Sequence, residues 1–152
     1  MKKEVIQNHI KITIPAKSTN ESLSRAIISS FILQLDPTIE QLCDIKTAVS
    51  EAVTNCIVHA YANENDERKK LIFISAETRK DGLVTLKIRD KGCGIADIEK
   101  ALMPMYSGSD SEERSGMGFS IMQCFCDKLT VKSNIGKGTT VILKKYIGNK
   151  DE

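Results

Sequence analysis

Three groups of residues could carry chemistry together. Asp90-Lys91-Gly92-Cys93-Gly94 follows the alternating run Leu83-Val84-Thr85-Leu86-Lys87-Ile88-Arg89, so a strand there would deliver a carboxylate into a turn with two glycines. A carboxylate at a strand end accepts hydrogen bonds well, and glycine lets a backbone approach a flat ligand closely. Upstream, Glu51, Asn55 and His59 recur every four residues and so line one strip of a helix. A carboxylate there can take a proton from an attacking hydroxyl or water. An amide oxygen one turn further on can ligate magnesium while phosphates supply other ligands. His59 reads as packing or surface. Downstream, Gly116-Met117-Gly118 opens another helix, whose unpaired N–H groups favour phosphate oxygens, and Arg114 adds a cation. An acid with an amide four residues on, a strand-end Asp with a glycine turn and a Gly-x-Gly helix start together look like an ATP site.

Other nucleotide motifs do not fit. No Gly-Lys-Ser/Thr follows a strand, so this is not a Walker loop. The third glycine and parallel context of a dinucleotide fold are missing, as are the protein-kinase loops.

The elements that must position these groups are legible from periodicity. Residues 4–15 alternate apolar and polar up to Pro15, predicting a strand. Ser18-x-x-Glu21 reads as a capping box that opens a helix through about Leu35, and Asp36-Pro37 breaks it. Thr38-x-x-Gln41 caps a second helix running to about Ala60, with Leu42, Ile45, Val49, Ala52, Val53, Cys56 and Ala60 on one apolar stripe. After a charged loop, 71–76 and 83–88 read as strands joined by a tight turn at Lys80-Asp81-Gly82. Residues 95–102 suggest a short helix, and 103–114 a lid rich in Ser, Gly and charge. A helix from Gly116 to about Cys126 and strands at 128–133 and 139–146 complete the chain. Hairpin-connected strands with helices gathered between them predict an α+β two-layer sandwich, its sheet mixed but mostly antiparallel and its helices on one face.

The length of 152 residues suggests a single domain, 1–152, and 41% apolar residues suit a folded core. Net charge is +2 with the signs interleaved along the chain, so nucleic acid is not an expected partner. No apolar run approaches bilayer length, and the start lacks a signal-peptide core. Five cysteines without a Cys-x-x-Cys suit reduced thiols in the cytoplasm, and Cys124-Phe125-Cys126 reads as helix packing. Two scattered histidines do not suggest zinc.

The ordered set of motifs resembles the GHKL ATPases, the superfamily that includes gyrase and the histidine kinases. Val49-Ser50-Glu51-Ala52-Val53-Thr54-Asn55, Ile88-Arg89-Asp90-Lys91-Gly92-Cys93-Gly94-Ile95 and Glu113-Arg114-Ser115-Gly116-Met117-Gly118-Phe119 are similar to the anti-sigma serine kinases. Asn20-Glu21-Ser22 with Arg25, and Gln34-Leu35-Asp36-Pro37-Thr38, resemble their sporulation branch. The resemblance implies ATP and ADP as nucleotides and magnesium as the ion. It makes Glu51 the general base and Asn55 the magnesium ligand. Asp90 would hold the adenine amino group, joined by Thr139 through water. Gly92, Gly94, Gly116 and Gly118 would shape the pocket, Arg114 would contact phosphate, and Arg25 would contact protein partners. Those partners would be sigma F and an anti-anti-sigma antagonist phosphorylated on serine, and the chain would form a homodimer. Relatives often carry Thr-Lys-Pro in the lid where this chain has Ser109-Asp110-Ser111, which gives Arg114 more weight. Two alternatives are an ATP-gated binding module without transfer activity and a stress-response kinase of the same family.

Overall fold

The computed structural model describes residues 5–103 and 118–147. Arg114, Gly116 and all of the predicted lid except Met103 lie outside the described residues. Five strands form one sheet in the order β1-β2-β3-β5-β4: β1 Ile6–Pro15, β2 Leu71–Arg79, β3 Leu83–Asp90, β4 Lys128–Asn134 and β5 Gly138–Tyr146. The sheet, expected as mixed but mostly antiparallel, has four pairings among the described residues, all antiparallel. The helices are α1 Thr19–Ile32, α2 Ile39–Asn55, α3 Ile98–Leu102 and α4 Gly118–Phe125. They cover one face, in keeping with the alternation of each strand. Ile72, Ile74 and Ala76 of β2 and Val84, Leu86 and Ile88 of β3 are buried beneath them, while the intervening residues face outward.

α2 is the central helix, packed on both α1 and α4. Ile45, Ala48, Val49, Ala52 and Val53 are buried along the predicted stripe. Its start carries the predicted capping box: Gln41 N–H donates to Thr38 Oγ1 at 3.0 Å, and Thr38 N–H donates to Gln41 Oε1 at 2.9 Å. Its end departs from the prediction. The stripe suggested one α-helix to Ala60, but after Asn55 the chain widens into a π-helical turn, Cys56–Ala60. Such turns re-aim backbone groups next to functional residues.

The predicted cap of α1 is not made. Ser18 has helical backbone angles and no side-chain capping bond. Glu21 turns instead to a long-range partner and a local one, accepting from Ser50 Oγ of α2 and pairing with Arg25 one turn further along α1 at 2.9 Å. A carboxylate engaged by a hydroxyl and a guanidinium is better satisfied there than on an exposed backbone N–H. The five cysteines are free thiols. Cys124 is exposed, whereas Cys126 packs against the core, where burial pushes its thiol up to about 11.

Candidate nucleotide site

Asp90 ends β3 against the π-turn that follows α2, and only 6% of its surface is exposed. Its Oδ1 accepts two backbone N–H groups, from Gly92 at 3.0 Å and from Thr139 at 3.2 Å. Its Oδ2 receives the Cys56 thiol at 3.5 Å. Burial raises the Asp90 carboxyl above the ordinary value, and the donors from Gly92, Cys56 and Thr139 only partly oppose this. Burial, and then the neighbouring carboxylate, push the Cys56 thiol well up, so it remains a protonated donor. One face of the carboxylate is thus fixed by the backbone, and the other oxygen is shared with a weak thiol donor. An amino group on a flat ring would find its acceptor there.

The glycine turn has no room for side chains. A Cβ on Gly92 would stand 2.0 Å from the Ala60 carbonyl oxygen, which closes the π-turn and accepts the Cys93 N–H at 2.8 Å. Gly94 has φ +77°, where other residues are strained, and a Cβ there would meet the Asn134 oxygen at 2.3 Å. The turn is therefore clamped between the end of α2 and the β4–β5 hairpin.

Thr139 reaches Asp90 through its own N–H. Its hydroxyl lies 2.8 Å from Ser133 Oγ, which in turn accepts the Ile95 N–H at 2.7 Å. Tyr61 braces the other side, donating to the Leu71 carbonyl and accepting the Lys91 N–H at 2.9 Å. Cys56, Tyr61 and Ser133 had no motif to mark them. Cys56 read as one more apolar stripe position, and the other two act through contacts made only in three dimensions.

Glu51 and Asn55 lie one turn apart on α2, facing the start of α4. A Cβ on Gly118 would be 3.3 Å from Asn55 Nδ2 and 3.4 Å from Glu51 Oε2. The structure thus brings the helix strip against Gly118, the second glycine of the Gly-x-Gly motif. On its other side Glu51 lines a cleft of about 250 Å³ with Arg25, Cys43, Lys46, Thr47 and Ser50. Among the described residues no group of three or more His, Cys, Asp or Glu could by itself hold a metal ion. An ion at Asn55 would take most of its ligands from phosphates and water.

Residues 14–145 match the family described as histidine kinase-like ATPase domain. The chain is 49% identical over 142 residues to the anti-sigma F factor of Thermoanaerobacter pseudethanolicus, covering 93% of this chain and 96% of that protein. It is 47% identical over 142 residues to the anti-sigma F factor of Geobacillus thermodenitrificans, covering 93% and 94% respectively. The fold is shared with the crystal structure of the RsbU and RsbW domains of a Mycobacterium tuberculosis protein, at TM-score 0.68 and 19% identity, over 94% of this chain and 33% of that one. The chain therefore belongs to the nucleotide-binding histidine kinase-like ATPases and, within them, to the family of anti-sigma F factors. Among the described residues no helix is long and apolar enough to cross a membrane.

Proposed function

We propose that this protein is an ATP-dependent anti-sigma factor of the cytoplasm that holds sigma F and phosphorylates a serine of its anti-anti-sigma antagonist. The observation that carries this reading is the position of Glu51. It stands beside Gly118 and Asn55 on one side and lines the Arg25 cleft on the other. A base at that junction can reach a terminal phosphate and a hydroxyl presented by a protein. Binding alone would not need it.

In this reading Asp90 accepts from the adenine amino group through Oδ2, with Thr139 and Gly92 fixing the carboxylate. Gly94 and Gly92 admit the ring, and Gly116 and Gly118 leave N–H groups for the phosphate tail. Asn55 holds magnesium, which neutralises phosphate charge when bound. Glu51 takes the serine proton, and Arg114 contacts phosphate from the lid at 103–114. Arg25 meets a protein partner. The chain acts as one domain and as a homodimer, for which the outer edge of β1, unpaired among the described residues, offers a ladder.

The test uses purified sigma F, the antagonist and labelled ATP with magnesium. Wild type should transfer label to a serine of the antagonist and bind sigma F better with ATP than with ADP. Glu51→Gln should bind both proteins and ATP without transfer. If wild type binds ATP and sigma F but transfers nothing, the protein is a binding module and the kinase assignment is wrong.

A further inference from the structure

The sheet face turned away from the helices is strongly one-signed. Across the strands, the register aligns three rows of outward side chains. Arg89 and Lys132 lie in one row, Lys11 and Lys87 in the next, and Lys128 and Lys144 in the third. The Lys91 ammonium joins the first row over the Phe73 ring. The only carboxylate among the strand residues of this face is Glu77. None of these seven cations forms an ion pair with a carboxylate of the described residues; Arg79, on the same face, is paired with Asp81.

A one-sided antiparallel sheet needs a polar outer face, but not one sign of charge. The whole chain carries only +2, so folding has sorted its cations onto this surface. The sorting has a cost. Lys128 stands directly opposite Lys144 in register, and like charges so placed repel. An anionic partner removes that cost.

We propose that this open face docks an acidic, extended segment of a partner protein. Outward residues on a strand recur at about 6.8 Å, which is also the repeat of alternate side chains in an extended peptide. A segment with carboxylates at every second position can therefore place one on each row. The face is less suited to nucleic acid. Single-strand binding relies on free aromatic platforms, and here the Phe73 ring has Arg89 and Lys91 each 4.9 Å from its centre. Among the described residues no helix lies on this face to enter a groove. The inference is independent of the nucleotide site, which lies on the helical side of the sheet.

The test titrates the full chain with a synthetic peptide of alternating Glu and Thr at low and moderate salt. Single-stranded RNA and duplex DNA of equal charge are parallel probes. The peptide should bind, more weakly as salt rises. Lys11→Glu with Lys87→Glu should weaken it at least about tenfold, the neutral Gln pair less, and the pair Arg68→Glu with Lys69→Glu, outside the three rows, much less. Circular dichroism and ADP binding confirm that each variant folds. No peptide binding by wild type, equal binding by the double reversal, equal loss in the pair outside the rows, or tighter binding of either nucleic acid at the same salt would each overturn the proposal.

Discussion

The Cys56 thiol lies 3.5 Å from Asp90 Oδ2, tying the first residue of the π-turn to the end of β3. Among the described residues it is the one side-chain donor on a buried carboxylate whose other oxygen is held by the backbone. Removing it by Cys56→Ala leaves burial less opposed, so the Asp90 carboxyl should move further up. In the proposed reading nucleotide is held by the ionised carboxylate, and its affinity should therefore fall as pH drops through the raised value. In Cys56→Ala that fall should begin at higher pH than in wild type. Cys56→Ser, with a stronger donor, should move it lower. Calorimetric ADP titrations from neutral to mildly acidic pH check this; superimposable profiles for all three proteins would show that the thiol only fills space.

Asp90→Asn separates binding from stability. The amide cannot offer a charged acceptor, so ATP and ADP should both weaken by roughly tenfold or more, as loss of a charged hydrogen bond of ~1.5–3 kcal/mol implies. Stability should move the other way. A carboxyl raised by burial favours the protonated form in the folded state. Its contribution is fully present below the ordinary 3.8 and is lost as pH rises through the folded value. At neutral pH the nucleotide-free variant should thus melt at or above the wild-type temperature, since an amide oxygen can still accept from Gly92 and Thr139. A lower melting temperature would mean that the charge holds the turn together.

How much of this was legible in the sequence depended on the range of the interactions. The strands and α2 were written in local alternation and in a four-residue capping box. The failure at Ser18 has a cause that is partly long-range: Glu21 is drawn to Ser50, 29 residues away, as well as to its own-helix neighbour Arg25. The π-turn was hidden because an apolar stripe at three- and four-residue steps looks the same whether the last turn is α or π. Motifs singled out Asp90, Gly92 and Glu51 as candidates, but the neighbours that brace the Asp90 turn, Cys56, Tyr61 and Ser133, come from other elements. The basic face was invisible for the same reason, since cations interleaved with acids along the chain become neighbours only when strands pair.

Gly92→Ala tests the clamp. The new methyl would overlap the Ala60 carbonyl oxygen at 2.0 Å, a backbone atom that cannot swing aside as a side chain would. Overpacking of this kind costs typically ~1–3 kcal/mol, and here the upper end is expected. Thermal melts should show a loss of several degrees, with nucleotide binding impaired even below the melting temperature. Wild-type stability and affinity would mean that the turn relaxes freely.

Glu51→Gln tests the base while sparing shape. Loss of a general base commonly lowers rate ~10²–10⁴-fold. Single-turnover transfer of label from ATP to the antagonist should fall within that range, with ATP affinity nearly unchanged. Transfer at a near-normal rate would assign proton removal to another group.

Arg25→Ala tests whether the cleft is the protein-facing side of the site. Arg25 lies on α1, held by Glu21, which also accepts from Ser50, the neighbour of Glu51 on α2. It shares the cleft with Glu51 but makes no described contact with Asp90 or the glycine turn. The intramolecular pair is partly exposed and so is worth little to the fold, on the order of 1 kcal/mol or less. Removing the guanidinium should therefore leave the melting temperature and ATP affinity close to wild type. It should weaken sigma F binding about tenfold or more if a partner carboxylate replaces Glu21 there. The added salt dependence of sigma F binding should also shrink in the variant, because a charge pair has been removed. An unchanged sigma F affinity would return Arg25 to an ordinary helix-surface pair, leaving Lys46 as the cleft's cation to examine.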